Sequence, residues 1–282
     1  MSLLCLNCRG LGAAQAVSDL CTLLRRLTPK VVFLSETKKS TPEMKNLLPN
    51  LGDYHGLFVD ARGRSGGLGL LWLETVTMNL LSCSLHHIDV TIQWENDDNL
   101  WRFSGIYGWP EKQLKEKTRE LIHDLRAPSN LPWLIGGDLN EIFYHGEKKG
   151  KPPKPQASID NFRSYFEGNE LFDLGYSGYD FTWSNYQEDG ITVEERLDRF
   201  CTDCEWSLVF PSAQVQHVDF DMSDHLPILL KCKTDKASTG SRKKRFHFKN
   251  MWFTNSLCKY IVHQAWSSPT QDDAVESLVS KL

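Results

Sequence analysis

Trp133-Leu134-Ile135-Gly136-Gly137-Asp138-Leu139-Asn140 is the stretch that decides how this chain folds. The apolar run reads as a buried strand. Gly136 and Gly137 then let the backbone turn tightly or come close to another group. An acid and an amide are set down together at the strand's end, which is where α/β sheets place their chemistry. The same four letters, Gly-Asp-Leu-Asn, also suit an ordinary polar turn. What surrounds them has to decide.

The chain opens on the same theme. Residues 3–8 read as a strand and Arg9-Gly10-Leu11-Gly12 as a turn. Val17, Leu20, Cys21, Leu24 and Leu27 then recur at three- and four-residue steps, a helix stopped by Pro29. Residues 31–34 form a second buried strand that runs into Ser35-Glu36-Thr37. Strand–helix–strand with polar groups at both strand ends argues for an α/β fold. Further strands are expected over residues 69–72, 76–81, 90–94 and 101–107, and surface helices over 111–126 and 159–166. Residues 146–155 are basic and Pro-rich and read as a mobile loop. Residues 181–186 and 191–197 flank Asp189-Gly190, a hairpin signal, and 226–230 is the last strand.

Composition sets the limits. A length of 282 residues suits one large α/β domain or two small ones. A net charge of −4 excludes a uniformly basic nucleic-acid glue. No apolar run approaches the roughly 18 residues needed to cross a membrane. The N-terminal segment, with Asn7, Arg9 and Asp19, lacks the apolar centre of a signal peptide. A nuclear or cytoplasmic protein, not secreted, is the expectation. Eight cysteines in such a chain read as reduced thiols. Cys5/Cys8 and Cys201/Cys204 are two Cys-x-x-Cys pairs, but zinc would need them brought together from opposite ends of the sequence. Cys5 lies in a strand-like run, where cysteine behaves as a small apolar residue.

Composition shifts near Thr234. Residues 236–250 hold six Lys or Arg and no acid, and an aromatic stretch follows. We place a domain boundary near residue 235, dividing residues 1–235 from a basic linker and aromatic, partly helical tail, 236–282. Lys243-Lys244-Arg245 suits either a nuclear-import signal or a solvated linker, and the linker is the favoured reading. Phe246, Phe248, Trp252 and Phe253 would dock on the main domain or on a domain downstream.

Several polar groups share one context. Asn7, Glu36, Tyr107, Asp138 and Asn140 end apolar strands, Asp198 follows Leu197, and Ser223-Asp224-His225 immediately precedes Leu226-Pro227-Ile228-Leu229. Each has a plain reading as a cap, turn or surface residue. Together they make a toolkit. Glu36, Asp138 and Asp224 supply oxygen ligands for a hard cation such as Mg²⁺. Asn7 and Asn140 supply amides for a cation, a water or a phosphate oxygen. Asp198 could hold His225 in one tautomer. There is no P-loop. Metal-assisted attack by water is therefore the natural reaction class.

In this order the pieces resemble the endonuclease/exonuclease/phosphatase family, the exonuclease III-like nucleases, over about residues 1–233. The blocks are Asn7-Cys8-Arg9-Gly10, Glu36-Thr37-Lys38, Ile106-Tyr107, Gly137-Asp138-Leu139-Asn140, Arg196-Leu197-Asp198 and Ser223-Asp224-His225-Leu226-Pro227. Ser-Gly-Gly-Leu-Gly-Leu-Leu-Trp at 65–72 and Phe-Thr-Trp at 181–183 resemble the branch that opens plant-type non-LTR (LINE) retrotransposon polyproteins. So does the tail at 245–252. Such polyproteins continue into a reverse transcriptase, an implied partner, although no Tyr-x-Asp-Asp motif occurs here.

The resemblance implies a four-layer α/β sandwich, two packed mixed sheets with helices on the outer faces, and a site at one rim. It implies a Mg²⁺-dependent endonuclease that nicks duplex DNA, with Mn²⁺ able to substitute. Glu36 is the implied principal ligand, with Asn7 beside it. Asp138 would orient and deprotonate the attacking water, and Asn140 would hold that water or the phosphate. His225, oriented by Asp198, and Tyr107 would steady the phosphate. Asp224 would serve a second metal position with Asp138, Asn140 and His225. Repair-type members carry an Asp two residues after the first Asn that helps hold metal. Here that residue is Arg9, which either opposes the ion or contacts phosphate and weakens a reading as an abasic-site repair nuclease. Other phosphoesterase activities of the family, on RNA or inositol phosphates, and a catalytically decayed nucleic-acid-binding module are the alternatives. Arg62, Arg64 and residues 148–154 offer phosphate contacts. The acidic hairpin (Glu188, Asp189, Glu194, Glu195) runs against DNA binding.

Overall fold

Strands buried on both faces explain the continuous apolar runs of the sequence. In the first strand, β1 (Ser2–Asn7), Leu3 and Cys5 point into one core and Leu4 and Leu6 into another. The period of two makes this unavoidable. The computed structural model describes residues 1–63, 65–95, 99–126, 130–185, 193–220 and 223–232. The predicted boundary near 235 and the tail lie outside them, as do Arg64 and the hairpin tip with Glu188 and Asp189.

After β1 come α1 (Ala14–Leu27), β2 (Val31–Ser35), α2 (Thr41–Leu51), β3 (Tyr54–Arg62) and β4 (Ser65–Leu73). The middle of the chain forms β5 (Val76–Ser84), β6 (His87–Trp94), β7 (Leu100–Tyr107), α3 (Lys115–Arg126) and β8 (Trp133–Asp138). Then follow β9 (Lys148–Lys149), α4 (Gln156–Gly168), β10 (Phe172–Asp173), β11 (Trp183–Asn185) and β12 (Val193–Glu195). The last elements are β13 (Asp198–Thr202), α5 (Cys204–Val209), β14 (Gln214–His217) and β15 (Ile228–Lys231).

Two six-stranded sheets result, ordered β14-β15-β1-β2-β4-β3 and β10-β13-β8-β7-β6-β5. Each holds one parallel pair, β1/β2 and β7/β8, among antiparallel neighbours, so both are mixed. Between them lies a core of Leu3, Cys5, Val31, Phe33, Leu70, Ile92, Phe103, Leu134 and Phe200. On the far face of the first sheet, Leu20 and Leu24 of α1 and Met44 of α2 pack on Leu4, Val32 and Leu34. On the far face of the second, Ile122 of α3 and Phe162 and Phe166 of α4 pack on Ile106 and Ile135. Helix, sheet, sheet and helix are the four layers. α2 begins at a Ser40/Glu43 capping box, which satisfies two amides of its first turn. No helix among the described residues is long and apolar enough to cross a membrane. Cys5 and Cys201 are buried, and no described cysteine forms a disulfide.

Residues 146–155 are a correction to the sequence reading. They are not simply a loop. Lys148 and Lys149 form β9, which pairs with β12 so that Lys149 faces Glu194 and Lys148 faces Glu195. Lys149 Nζ lies 2.8 Å from Glu194, and Lys154 Nζ 2.8 Å from Glu195, which also pairs with Lys148. Glu194 and Glu195 are thus neutralised from within. Lys148, Lys149 and Lys154, among the lysines expected to contact phosphate, are engaged in that pairing.

Candidate active site

Register brings the predicted residues to one rim. In the first sheet Asn7 stands beside Ser35, so Asn7 and Glu36 leave adjacent parallel strands together. In the second, Tyr107 and Asp198 both stand opposite Asp138, on either side of it. Two bonds then tie the sheets at this edge. Asn7 Nδ2 donates to Asp138 Oδ2 at 3.0 Å, and Tyr107 OH donates to Glu36 Oε1 at 2.5 Å. Gly137 permits the crossing. Its φ is +131° and a Cβ there would sit 2.2 Å from the Ile106 carbonyl oxygen.

Asp138 is buried and held by three donors: Asn7, the Asn140 amide N–H at 2.8 Å and Asn140 Nδ2 at 3.2 Å. Asn140 also donates to the Gly108 carbonyl at 2.9 Å, and its own carbonyl accepts from Lys115 Nζ. His225 comes in from the first sheet's side. Its amide donates to Ser223 Oγ, which donates to the Asn7 carbonyl at 3.2 Å. Its Nδ1 lies 2.9 Å from Asp198 Oδ2, and its Nε2 lies 3.9 Å from Asp138 Oδ2. Thr182 Oγ1 fixes Asp198 by accepting the amides of Leu197 and Asp198, both at 2.9 Å.

Backbone strain concentrates here. Arg9, Glu36, Lys38 and Asn140, four of the six non-glycine residues with positive φ among the described residues, line the cleft. Such conformations cost about 1–3 kcal/mol each and persist where the surroundings impose them.

Electrostatics separates the roles. Burial and then the facing Asp198 carboxylate push Asp138 up to about 6, against the pull of His225 and the amide donors. A carboxylate there is poised to take a proton near neutrality. Burial alone would strip His225 of its charge, but Asp198 and Asp138 outweigh it and raise the imidazole to about 9. It is therefore a cation at neutral pH. Burial and Glu36 raise the Tyr107 phenol well above its usual value, so it stays a neutral donor.

Asn7, Glu36, Asp138, Asn140, Asp224 and His225 all line the cleft. Tyr107 and Asp198 stand behind it, through Glu36 and His225. Among the described residues, Asp138, Asp198 and His225 form a group whose ligand atoms lie within 4.8 Å of one another and could hold a metal ion. Glu36, Asp138 and the unpaired Oδ1 of Asp224 add hard oxygen donors of the kind a divalent cation takes. Three neighbours escaped the sequence reading. Trp183 Nε1 donates to Asp224 Oδ2 at 2.9 Å, Lys38 Nζ lies 3.4 Å from Glu36 Oε2, and Lys115 supports Asn140. For Trp183, the aromatic in the Phe-Thr-Trp triplet was the available signal. Lys38 stands in the Glu36-Thr37-Lys38 block, and Lys115 had no signal beyond its charge.

A cleft of converging strand ends, with acids, amides and an imidazole and, among the described residues, no activated protein nucleophile, fits a hydrolase that acts through water. The chain belongs to the endonuclease/exonuclease/phosphatase family, whose sequence profile matches residues 4–225. No curated protein matches the sequence. Among solved structures, the fold is similar to the endonuclease domain of TRAS1, a telomere-specific non-LTR retrotransposon, at 14% identity and a TM-score of 0.62, covering 83% of this chain and 99% of that one. The AP endonuclease LMAP from Leishmania major is similar at 14% identity and TM-score 0.63, covering 81% and 86%. The 3′ phosphatase NExo from Neisseria, bound to a product DNA hairpin, is similar at 14% identity and TM-score 0.60, covering 83% and 99%.

Proposed function

We propose that this chain is a divalent-metal-dependent phosphodiesterase that nicks duplex DNA, a retrotransposon-type endonuclease using Mg²⁺, with Mn²⁺ able to replace it. The observation that carries the reading is the Asp138–His225–Asp198 array. One carboxylate is raised to about 6 at the cleft floor, beside an imidazole kept cationic by a second, buried carboxylate. Asp138 orients a water through its cleft-facing oxygens and takes its proton. Asn7 and Asn140 hold Asp138 still, so the geometry is set before the substrate arrives. His225 faces the phosphate and balances the charge that grows on its oxygens. Asp198 keeps the imidazole proton on Nδ1. Glu36 and Asn7 would hold Mg²⁺, which supplies Lewis-acid charge at the phosphate when bound. Tyr107 orients Glu36 by its hydrogen bond.

DNA as substrate is supported by the similar folds of a retrotransposon endonuclease domain and of an enzyme holding a DNA hairpin. A downstream reverse transcriptase is the partner this reading implies. The test offers intact duplex, the same duplex with one abasic site, and single-stranded RNA, each with Mg²⁺ and with chelator. Metal-dependent nicking of intact duplex is expected. Cleavage confined to the abasic duplex would make the chain a repair nuclease, and no metal-dependent cleavage of any substrate would refute the reading.

A further inference from the structure

Arg9 is fixed at three points. Its amide donates to Asn7 Oδ1 at 3.0 Å, its carbonyl accepts from Lys38 Nζ at 3.0 Å, and its guanidinium Nη1 pairs with Asp224 Oδ2. Its φ is +50°, a left-handed conformation that these contacts impose. The Arg9 side chain is nonetheless 62% exposed and lines the cleft, so it is open to whatever enters. Asp224 is only 12% exposed, and the oxygen that takes Arg9 also takes the indole N–H of Trp183.

This arrangement bears on how many ions the site can hold. On the Asn7 side of the cleft, two carboxylates, Glu36 and Asp224, face two tethered cations, Lys38 and Arg9. Glu36 is free to bind an ion, because its contacts are a neutral phenol and a lysine 3.4 Å away. Asp224 is not equally free. An ion on Asp224 would lie within a few ångströms of the guanidinium, where like charges repel strongly in a partly dry cleft. Displacing Arg9 would also break a pair that the strained loop is built to hold. A guanidinium, meanwhile, offers a planar fork matched to phosphate oxygens.

We infer that Arg9 takes the place of a second metal ion. The site holds a single divalent ion, at Glu36, and the guanidinium anchored on Asp224 supplies the other positive charge facing the substrate phosphodiester. This rests on the phosphodiesterase reading above, and the following measurements separate the two.

The full chain, freed of metal and without DNA, is titrated with Mn²⁺, and bound ions are counted by electron paramagnetic resonance and calorimetry. Wild type is expected to bind one ion in the cleft. Glu36→Gln is expected to bind it at least tenfold more weakly. Arg9→Asp, which sets a second carboxylate against Asp224, is expected to gain a second ion. Two ions on wild type, or a single unaltered ion on Arg9→Asp, would overturn the inference while leaving the phosphodiesterase reading standing. No ion on wild type would remove both. Duplex binding in chelator, compared between wild type and Arg9→Ala over a range of salt, reads the guanidinium directly. Loss of one phosphate contact lowers the salt slope by about one. An unchanged slope would contradict the role given to Arg9.

Discussion

His225 Nδ1 lies 2.9 Å from Asp198 Oδ2, and the two residues reach that contact from different sheets. Asp198 opens β13 directly opposite Asp138, and His225 enters through the segment before β15. The bond therefore joins the acid of one sheet to the imidazole brought in by the other.

The first prediction is a pH dependence. His225 has its folded value raised to about 9, above the usual 6.5. The stabilisation from its charge is then fully present below about 6.5 and lost as pH rises through about 9. Asp138 is raised as well, to about 6, so ionising it becomes unfavourable to the fold between about 4 and 6. NMR titration of the metal-free protein should show an imidazole that stays protonated past pH 8. Nicking should rise through about pH 6, as Asp138 loses its proton, and fall near pH 9. An imidazole titrating at 6.5 would contradict this.

Asp198→Asn should lower the His225 value towards 6.5 or below and reduce kcat by about 10²–10⁴-fold, with little change in KM. The imidazole titration distinguishes lost charge support from a merely loosened fold. If kcat falls while the titration stays near 9, Asp198 acts through packing and not through His225.

Gly137→Ala should be costly in stability. The added Cβ would meet the Ile106 carbonyl oxygen at 2.2 Å, at a φ of +131°. A loss of about 3 kcal/mol or more is expected, measured by urea unfolding. Gly146→Ala, where a Cβ meets nothing within 4 Å, should stay within about 0.5 kcal/mol of wild type.

Arg199→Ala should cost about 3–5 kcal/mol, because it strands acids that a buried guanidinium now satisfies. Arg199 bonds Glu147 and Asp173 at 2.9–3.2 Å and is fully buried. Burial alone would raise Asp173, yet Arg196 and Arg199 hold it far below the usual carboxylate range. Its contribution is present above about pH 3.8 and lost as pH falls through the folded value. Acid unfolding followed by circular dichroism should therefore begin at higher pH in the variant.

Much of the fold was legible because the strands are short apolar runs and their polar ends are distinct. The β8 stretch, the first strand–helix–strand unit and the antiparallel pair β11/β12 could be read directly. α2 is hidden in the sequence, although Ser40 and Glu43 carry a capping box and Met44, Leu47, Leu48 and Leu51 stand at helical spacing, because Pro49 lies inside the run and reads as a helix breaker. The neutralisation of Glu194 and Glu195 depends on β9 pairing with β12, a contact between segments about 45 residues apart. At the site, the residue types at strand ends were visible. The pairing of Arg9 with Asp224, 215 positions away, was not, since charge in a sequence does not say which partner it meets.

Supercoiled plasmid nicking in Mg²⁺, compared across wild type, Asp138→Asn, Glu36→Ala and His225→Ala, tests the central claim most directly. The account predicts that wild type relaxes the plasmid and that chelator stops it. It predicts that each variant loses at least about 10²-fold in rate, as the removal of a proton acceptor or a charge-stabilising group should. Equal nicking by all four proteins would contradict the assignment of the cleft as the reacting centre.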